Sequence, residues 1–309
     1  MLKPVTKFFL RLLLILSVII LFDRIAGNIL EKLYFRQKHG PGYLTTYSID
    51  STEARILVFG SSRANHGYVP DIFVRELDRS FYNTGRDGTY ILHNYAVFRS
   101  IMKRYSPEMI IFDLRPDELQ YNVKEYDALS LLLPYCKKHP EIRQIVDMKG
   151  PFEGTKRFSA AYTYNSLIFQ IIMGNSGKEG RYASSQGYIP LKRTMSESIP
   201  DTVDYSDFIP DQNKFLALKE INNTCRLKNI DVYFIQSPVW RINKRCVYWD
   251  IFCGDNNITY LDFSNNSLFL KHPEYFADKY HLNDEGAKVF SKLLTQLLRT
   301  SSSRRIIHD

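Results

Sequence analysis

Short, uninterrupted apolar runs alternate along this chain with longer stretches of helical spacing. Positions 55–59 (Arg-Ile-Leu-Val-Phe) predict a strand buried on both faces, because an unbroken apolar run ending at Gly60-Ser61-Ser62 leaves no solvent-facing position. A helix is expected over 70–77, a short strand over 80–83, and a helix over 90–105 with apolar residues at Ile91, Tyr95, Phe98 and Met102. A third strand covers 109–114. Regularity returns after a long aromatic and polar middle, with a helix over 212–228, strands over 231–236 and 259–262, and a closing helix over 285–298. Strands alternating with helices predict an α/β fold built on a doubly wound parallel sheet, whose ligands bind beyond the carboxyl ends of the strands. Ser62, Gly88 and Asp117 all fall just after expected strand ends.

The middle, 121–211, is too long for an ordinary crossover and reads as an insertion into a domain spanning 55–300. A helix is expected over 159–173 and loop over 174–180 and 182–187. The insertion forms either a lid or groove over the site or a small satellite core, and its aromatic side chains suit stacking on sugar rings. At the amino terminus Lys3, Lys7 and Arg11 precede an apolar run, 12–22, which 8–10 and 25–30 extend around Asp23-Arg24. A hydrocarbon core about 30 Å thick takes about 20 residues, so a transmembrane helix needs 8–29, with Arg11 snorkelling and Asp23-Arg24 at the far interface. A cleaved signal peptide is the alternative, but no small-x-small site follows the run. Residues 1–30 are therefore expected as a membrane anchor, 31–54 as a linker and 301–309 as a basic tail. The basic amino terminus directs the domain to the extracytoplasmic side.

With 309 residues and 44% hydrophobic content, the chain can bury a large core. Its net charge of +8 is dispersed and accompanies no nucleic-acid-binding motif, which excludes that class and leaves anionic lipid headgroups or an acidic polymer as the matching surfaces. Cys246 and Cys253 are spaced to close a short disulfide, whereas Cys136 and Cys225 suggest no pairing. No His, Cys or Glu cluster has metal-ligand spacing, so neither metal nor cofactor is expected.

The candidate chemistry begins near the end, where Asp278-Lys279-Tyr280-His281 stands just ahead of the closing helix. A serine hydroxyl is a weak nucleophile until an imidazole takes its proton, and the imidazole needs a carboxylate to fix its tautomer. Ser62, on the turn after the first strand, supplies the hydroxyl, giving the order serine, acid, base. Taken singly, each motif has an ordinary reading: a helix capped by Asn283 or Asp284, or a tight turn needing positive φ at Gly85 or Gly88. His66 and His93 lie close to these motifs, either lining the cleft or hydrogen-bonded within the fold.

Three blocks together, Phe59-Gly60-Ser61-Ser62, Asn83-Thr84-Gly85-Arg86-Asp87-Gly88 and Asp278-x-x-His281, resemble the SGNH (GDSL-like) hydrolase and acyltransferase superfamily over about 55–298. The resemblance implies a flavodoxin-like sheet and a Ser62, His281, Asp278 triad. The backbone N–H groups of Ser62 and Gly88 would be the oxyanion donors. It further implies ester hydrolysis or O-acetyl transfer on a cell-envelope glycan by a single-pass protein of the bacterial inner membrane facing the periplasm, alongside a membrane-bound acyl-transfer partner. Two positions depart from the family pattern. Ser61 stands where the family has Asp, and Asp117 stands where an Asn donates to the oxyanion, although an ionised carboxylate only accepts hydrogen bonds. Arg115 or Asn122 is positioned in sequence to substitute, and Arg63 and Arg86 to orient an anionic glycan. The loss of the Asn also admits a non-catalytic scaffold or binding component that keeps the fold.

Overall fold

The computed structural model describes residues 3–176, 185–196, 199–204, 209–244 and 247–306. Its first half runs α1 (Pro4–Phe35), α2 (Gly40–Asp50), β1 (Ile56–Gly60), α3 (Ser62–Gly67), α4 (Pro70–Leu77), β2 (Phe81–Asn83), α5 (Ile91–Arg104) and β3 (Met109–Asp113). The inserted region carries α6 (Val123–Asp127), α7 (Pro140–Val146), α8 (Glu153–Lys156), α9 (Ile168–Gly174), the 3-10 segments Ala128–Tyr135 and Tyr162–Leu167, and the short strand β4 (Asp201–Val203). The chain ends with α10 (Gln212–Leu227), β5 (Asp231–Gln236), β6 (Arg241–Asn243), α11 (Val247–Asp255), β7 (Tyr260–Asp262), α12 (Ser267–Leu270), β8 (Phe276–Asp278), β9 (His281–Leu282) and α13 (Asp284–Ile306).

Five strands form a wholly parallel sheet in the order β2-β1-β3-β5-β7, in register through Val58↔Ile111, Ile111↔Tyr233 and Phe234↔Tyr260. The order reverses between β1 and β3, which is the flavodoxin-like doubly wound arrangement. Alternate side chains divide between two faces. Leu57, Phe59, Ile110, Phe112 and Phe234 pack with α5 and α10, while Ile56, Val58, Met109, Ile111 and Ile235 pack with α4 and α13. On the first face Phe59 and Phe112 stack with ring centroids 4.7 Å apart, and Phe234 continues the stack.

The insertion is no separate satellite. Leu129, Leu132, Tyr135, Ile142, Ile145, Leu167 and Ile171 join the same core as α5 and α10. Its two ends are clasped together where Tyr121 N donates to Ile209 O at 2.8 Å and Asp211 N donates to Leu119 O at 2.8 Å. Beneath that clasp Lys214, fully buried on α10, donates to the Glu125 carboxylate and to Gln120 O at 2.6 Å, and Arg115 reaches Glu125 from the other side at 2.6 Å. Helix is shorter here than expected: 159–173 divides into the 3-10 segment Tyr162–Leu167 and α9.

Residues 31–54 are not a linker. The apolar period of α1 continues through Leu30, Leu33 and Tyr34 with no breaking residue, so the helix runs on to Phe35 and buries Tyr34 against Tyr135 and Tyr164. After a short turn, Pro41 occupies the first turn of α2, which buries Thr45, Ser48 and Ile49, and Arg104 caps its carboxyl end by donating to Ile49 O and Thr52 O, each at 2.8 Å. The expected tail is likewise helical from 301 up to Ile306, as part of α13.

Among the described residues α1 is the helix long and apolar enough to cross a membrane, and its side chains from Val5 to Phe22 are exposed. That stretch rises about 27 Å. From Asp23 onward the helix docks on the domain. Asp23 accepts from Ser159 Oγ at 2.6 Å and Ala160 N at 2.7 Å, Arg24 donates to Phe158 O at 2.7 Å, and Gly27 lies against Ala160 too closely for any side chain. Cys246 lies outside the described residues, and with it the expected Cys246–Cys253 pairing.

The buried Lys214–Glu125 contact yields a stability expectation. Lys214→Met leaves two buried carboxylates, Glu118 and Glu125, facing Arg115 alone and should destabilise by about 3–5 kcal/mol, whereas Arg75→Ala, which breaks an exposed ion pair with Glu76, should cost at most about 1 kcal/mol. Denaturant unfolding of the two variants measures the difference; equal losses would show that the buried pair does not hold the insertion in place.

Candidate active site

The site stands at the carboxyl end of the sheet. β1 delivers Gly60 to a sharp turn in which a Cβ would lie 2.7 Å from the Ala64 Cβ and 2.8 Å from Asp113 O, so only glycine allows α3 to start so close to β3. Ser62 is the first residue of α3 and is partly exposed.

Asp278 and His281 face each other across the antiparallel pair β8–β9. One oxygen, Oδ1, accepts from Tyr280 N at 3.0 Å, His281 N at 3.1 Å and His281 Nδ1 at 2.7 Å, so the carboxylate that orients the imidazole also closes the turn that carries it. The other oxygen takes Arg193 Nη2. Burial alone would raise the Asp278 carboxyl, but the hydrogen bonds from His281, from the backbone and from Arg193 hold it well below the usual carboxylate range. It is therefore an anion at any pH near neutrality, as an imidazolium partner requires. From its far side His281 Nε2 meets Ser62 Oγ at 2.7 Å. A hydroxyl, an imidazole and a carboxylate thus stand in one hydrogen-bonded line.

The turn after β2 is stapled to the same place. Asn83 accepts from Gly85 N at 2.9 Å and donates to Ala64 O at 2.7 Å, while Arg86 N donates to Gly60 O at 3.2 Å. A Cβ on Gly85 would meet Asn65 N at 2.7 Å, and Gly88 has φ +70°, a left-handed conformation that glycine takes without penalty. The N–H groups of Ser62 and Gly88 have no acceptor among the described residues. Both remain available to an anion.

The other expected site residues are committed to the fold. Arg63 is buried, donating to Ser237 O at 2.6 Å and lying 3.5 Å from the Asp113 carboxylate, whose own affinity for a proton burial pushes up. Arg86 is buried too, with Thr45 of α2 and Gln170 of α9 each accepting at 2.8 Å. Arg115 serves Glu118 and Glu125 and lies over the Tyr90 ring, and Asn122 caps α6 by accepting from Lys124 N at 3.0 Å. Asp117 sits 3.4 Å from Arg115. Charged residues next to a motif look ligand-facing in sequence, yet three of these arginines find their anions or acceptors inside the protein.

His93 is buried on α5, where desolvation and the nearby Arg86 push its imidazole down to about 3, so it is neutral and serves packing. His66 lies at the site. Its ring meets that of His281 edge-on at 5.8 Å, its Nδ1 donates to Ile189 O at 2.7 Å, and its Nε2 faces Asp87 Oδ1 at 3.1 Å.

Sequence reasoning missed Arg193 and the segment 185–195 that carries it. This strap bonds in or beside each motif block: Gln186 O accepts from Asn83 N, Gly187 O from the Asn65 side chain, Ile189 O from His66, Leu191 O from Asp284 N, and Phe276 O accepts from Met195 N. All five of these bonds use backbone atoms of the strap, which leave no side-chain pattern in a sequence.

No family model matches the sequence, and no curated protein matches it. Among solved structures, a Bacteroides fragilis NCTC 9343 protein described as a "putative acylhydrolase" is similar over 82% of this chain and 89% of that chain, with 12% sequence identity and a TM-score of 0.38.

The two glycines of the turn should respond differently to a methyl group. Gly85→Ala drives a Cβ into the Asn65 backbone and should destabilise by about 1–3 kcal/mol through overpacking. Gly88→Ala meets open space and should lose only the left-handed conformational penalty, about 1–2 kcal/mol. Thermal unfolding with local hydrogen exchange checks this: opening around Asn65 should appear with Gly85→Ala alone.

Proposed function

We propose that this chain is a membrane-anchored serine hydrolase or O-acyltransferase of the SGNH type, acting on an ester-linked acyl group of a cell-envelope glycan. One observation carries the reading: the Ser62 Oγ, His281 and Asp278 line, with two contacts of 2.7 Å. His281 Nε2 takes the Ser62 proton as Oγ attacks the acyl carbonyl, and Asp278 stabilises the imidazolium that results. The tetrahedral oxyanion falls to the Ser62 and Gly88 N–H groups, each such donor being worth about 3–4 kcal/mol of barrier in a water-poor site. His281 then protonates the departing alkoxide and leaves an acyl ester on Ser62. Water or a glycan hydroxyl, deprotonated by the same imidazole, releases the acyl group and regenerates the serine. The acetyl and glycan parts of this reading come from the family resemblance.

Location follows from α1. Lys3, Lys7 and Arg11 favour the cytoplasmic side for the amino terminus, which supports an arrangement with the domain on the periplasmic side. The docking of Asp23 through Tyr34 on the domain supports a retained anchor over a cleaved signal, because removing those residues would expose Tyr135, Tyr164 and the backbone of 158–161.

A second reading, a non-catalytic scaffold for envelope-polymer assembly, is favoured by one feature. Asp117 stands at the family's oxyanion Asn, and a carboxylate paired with Arg115 donates nothing to an oxyanion. A serine-directed fluorophosphonate separates the two. Catalysis requires labelling that Ser62→Ala abolishes and Ser61→Ala retains, and Asp278→Asn should lower turnover of p-nitrophenyl acetate by about 10⁴-fold. No labelling of a folded protein would favour the scaffold. A saccharide acceptor that speeds release identifies a transferase, and fast hydrolysis indifferent to saccharides identifies an esterase.

A further inference from the structure

A cavity lies far from the motif blocks in sequence, between α1 and the inserted 3-10 segments. Its volume is ≈ 300 Å³. Arg24, Gly27, Asn28 and Glu31 line one wall, at the i, i+3, i+4, i+7 spacing that puts them on a single face of α1. The opposite wall brings Lys137, Arg143 and Arg157, with Thr163 and Tyr164 as hydroxyl-bearing neighbours.

The charge of this lining is unbalanced: four cations and one carboxylate. Arg24 is held in place by Phe158 O, Arg157 by Asp147 at 2.6 Å, and Lys137 approaches Glu31 only to 3.8 Å. Arg143 has no anionic partner among the described residues. Cations gathered around a concave space create a positive potential that an anion with several acceptor oxygens, such as a phosphate ester, satisfies best.

The position of the cavity selects the carrier of that phosphate. It opens where the bare stretch of α1 meets the domain, one helical turn from the exposed apolar side chains of Ile20 and Leu21, which precede Arg24 by four and three residues, and next to Phe158, which is 75% exposed although its carbonyl anchors Arg24. A basic cavity at the foot of an apolar helix matches an amphiphile whose charged head and hydrocarbon chains point in opposite directions. We infer that this cavity binds the phosphate headgroup of an anionic membrane lipid, whose chains lie along the exposed face of α1. The site rests on α1 being a membrane helix. It is separate from the Ser62 chemistry, and Lys137 and Arg143 belong to no part of the catalytic machinery.

The full chain, reconstituted in nanodiscs containing equal phosphatidylglycerol and phosphatidylcholine, provides the test. Native mass spectrometry after release should find phosphatidylglycerol retained in preference, and Lys137→Glu with Arg143→Glu should weaken that preference by about tenfold or more, since each basic side chain near an anionic lipid is worth about 1 kcal/mol. A double variant that enters nanodiscs, reacts at Ser62 as before and loses the preference supports the site. Equal retention of the two lipids, or a preference untouched by the double variant, overturns it. Glycerol 3-phosphate binding as tightly as the lipid would also overturn the lipid assignment and leave a site for soluble phosphate esters. Failure of the wild-type chain to enter nanodiscs would instead remove the anchor reading, and this inference with it.

Discussion

A parallel sheet with no solvent-facing strand positions must be covered completely on both sides, and the rest of this molecule is arranged around that requirement. β1, β3 and β5 are buried along nearly their whole length, so each face demands a full layer of helix. α4 and α13 cover one face. On the other, α5 and α10 leave room that the insertion fills, and the insertion in turn is covered by the end of α1 and by α2. The carboxyl-terminal part of α1, from Asp23 onward, is therefore the outermost layer of one continuous core rather than an appendage.

The same arrangement explains how groups 219 residues apart come within 2.7 Å of each other. Parallel strands end on one edge, so the turns after β1 and β2 share it automatically. The β8–β9 turn does not belong to that sheet and needs its own attachment. The strap 185–195 provides it, bonding to Asn65, His66 and Asn83 on one side and to Phe276 and Asp284 on the other. Met195 and Arg193 reach the third block where α13 begins.

What could be read from the sequence divides along physical lines. Buried strands and amphipathic helices declare themselves through periodicity, and 70–77, 109–114, 212–228 and 231–236 appear within a residue of their expected ends. The Asp278-x-x-His281 spacing is legible because one local turn sets both the chemistry and the backbone. Contacts made by carbonyl oxygens, such as those of Gln186, Gly187 and Ile189, have no such signature. Nor does α2, short and rich in Gly, Thr and Ser, whose helical state depends on what it packs against. The arginines mislead for the opposite reason: Arg63 follows the first motif and Arg86 sits in the second, but their guanidinium groups point inward to partners remote in sequence, Ser237 and Gln170.

The rigid joint between α1 and the domain bears on how far the triad can reach. A flexible tether would let a soluble domain sample a hemisphere of space above a bilayer. Here Asp23, Gly27 and Tyr34 weld helix to domain, so in the proposed membrane-anchored state the free motions of the molecule are lateral drift, rotation about the helix and small tilts. Ser62 is thereby confined to a thin horizontal slab at a constant altitude. Under the proposed function, a substrate is reached only within that slab, and two such molecules meet with their Ser62 residues at the same level.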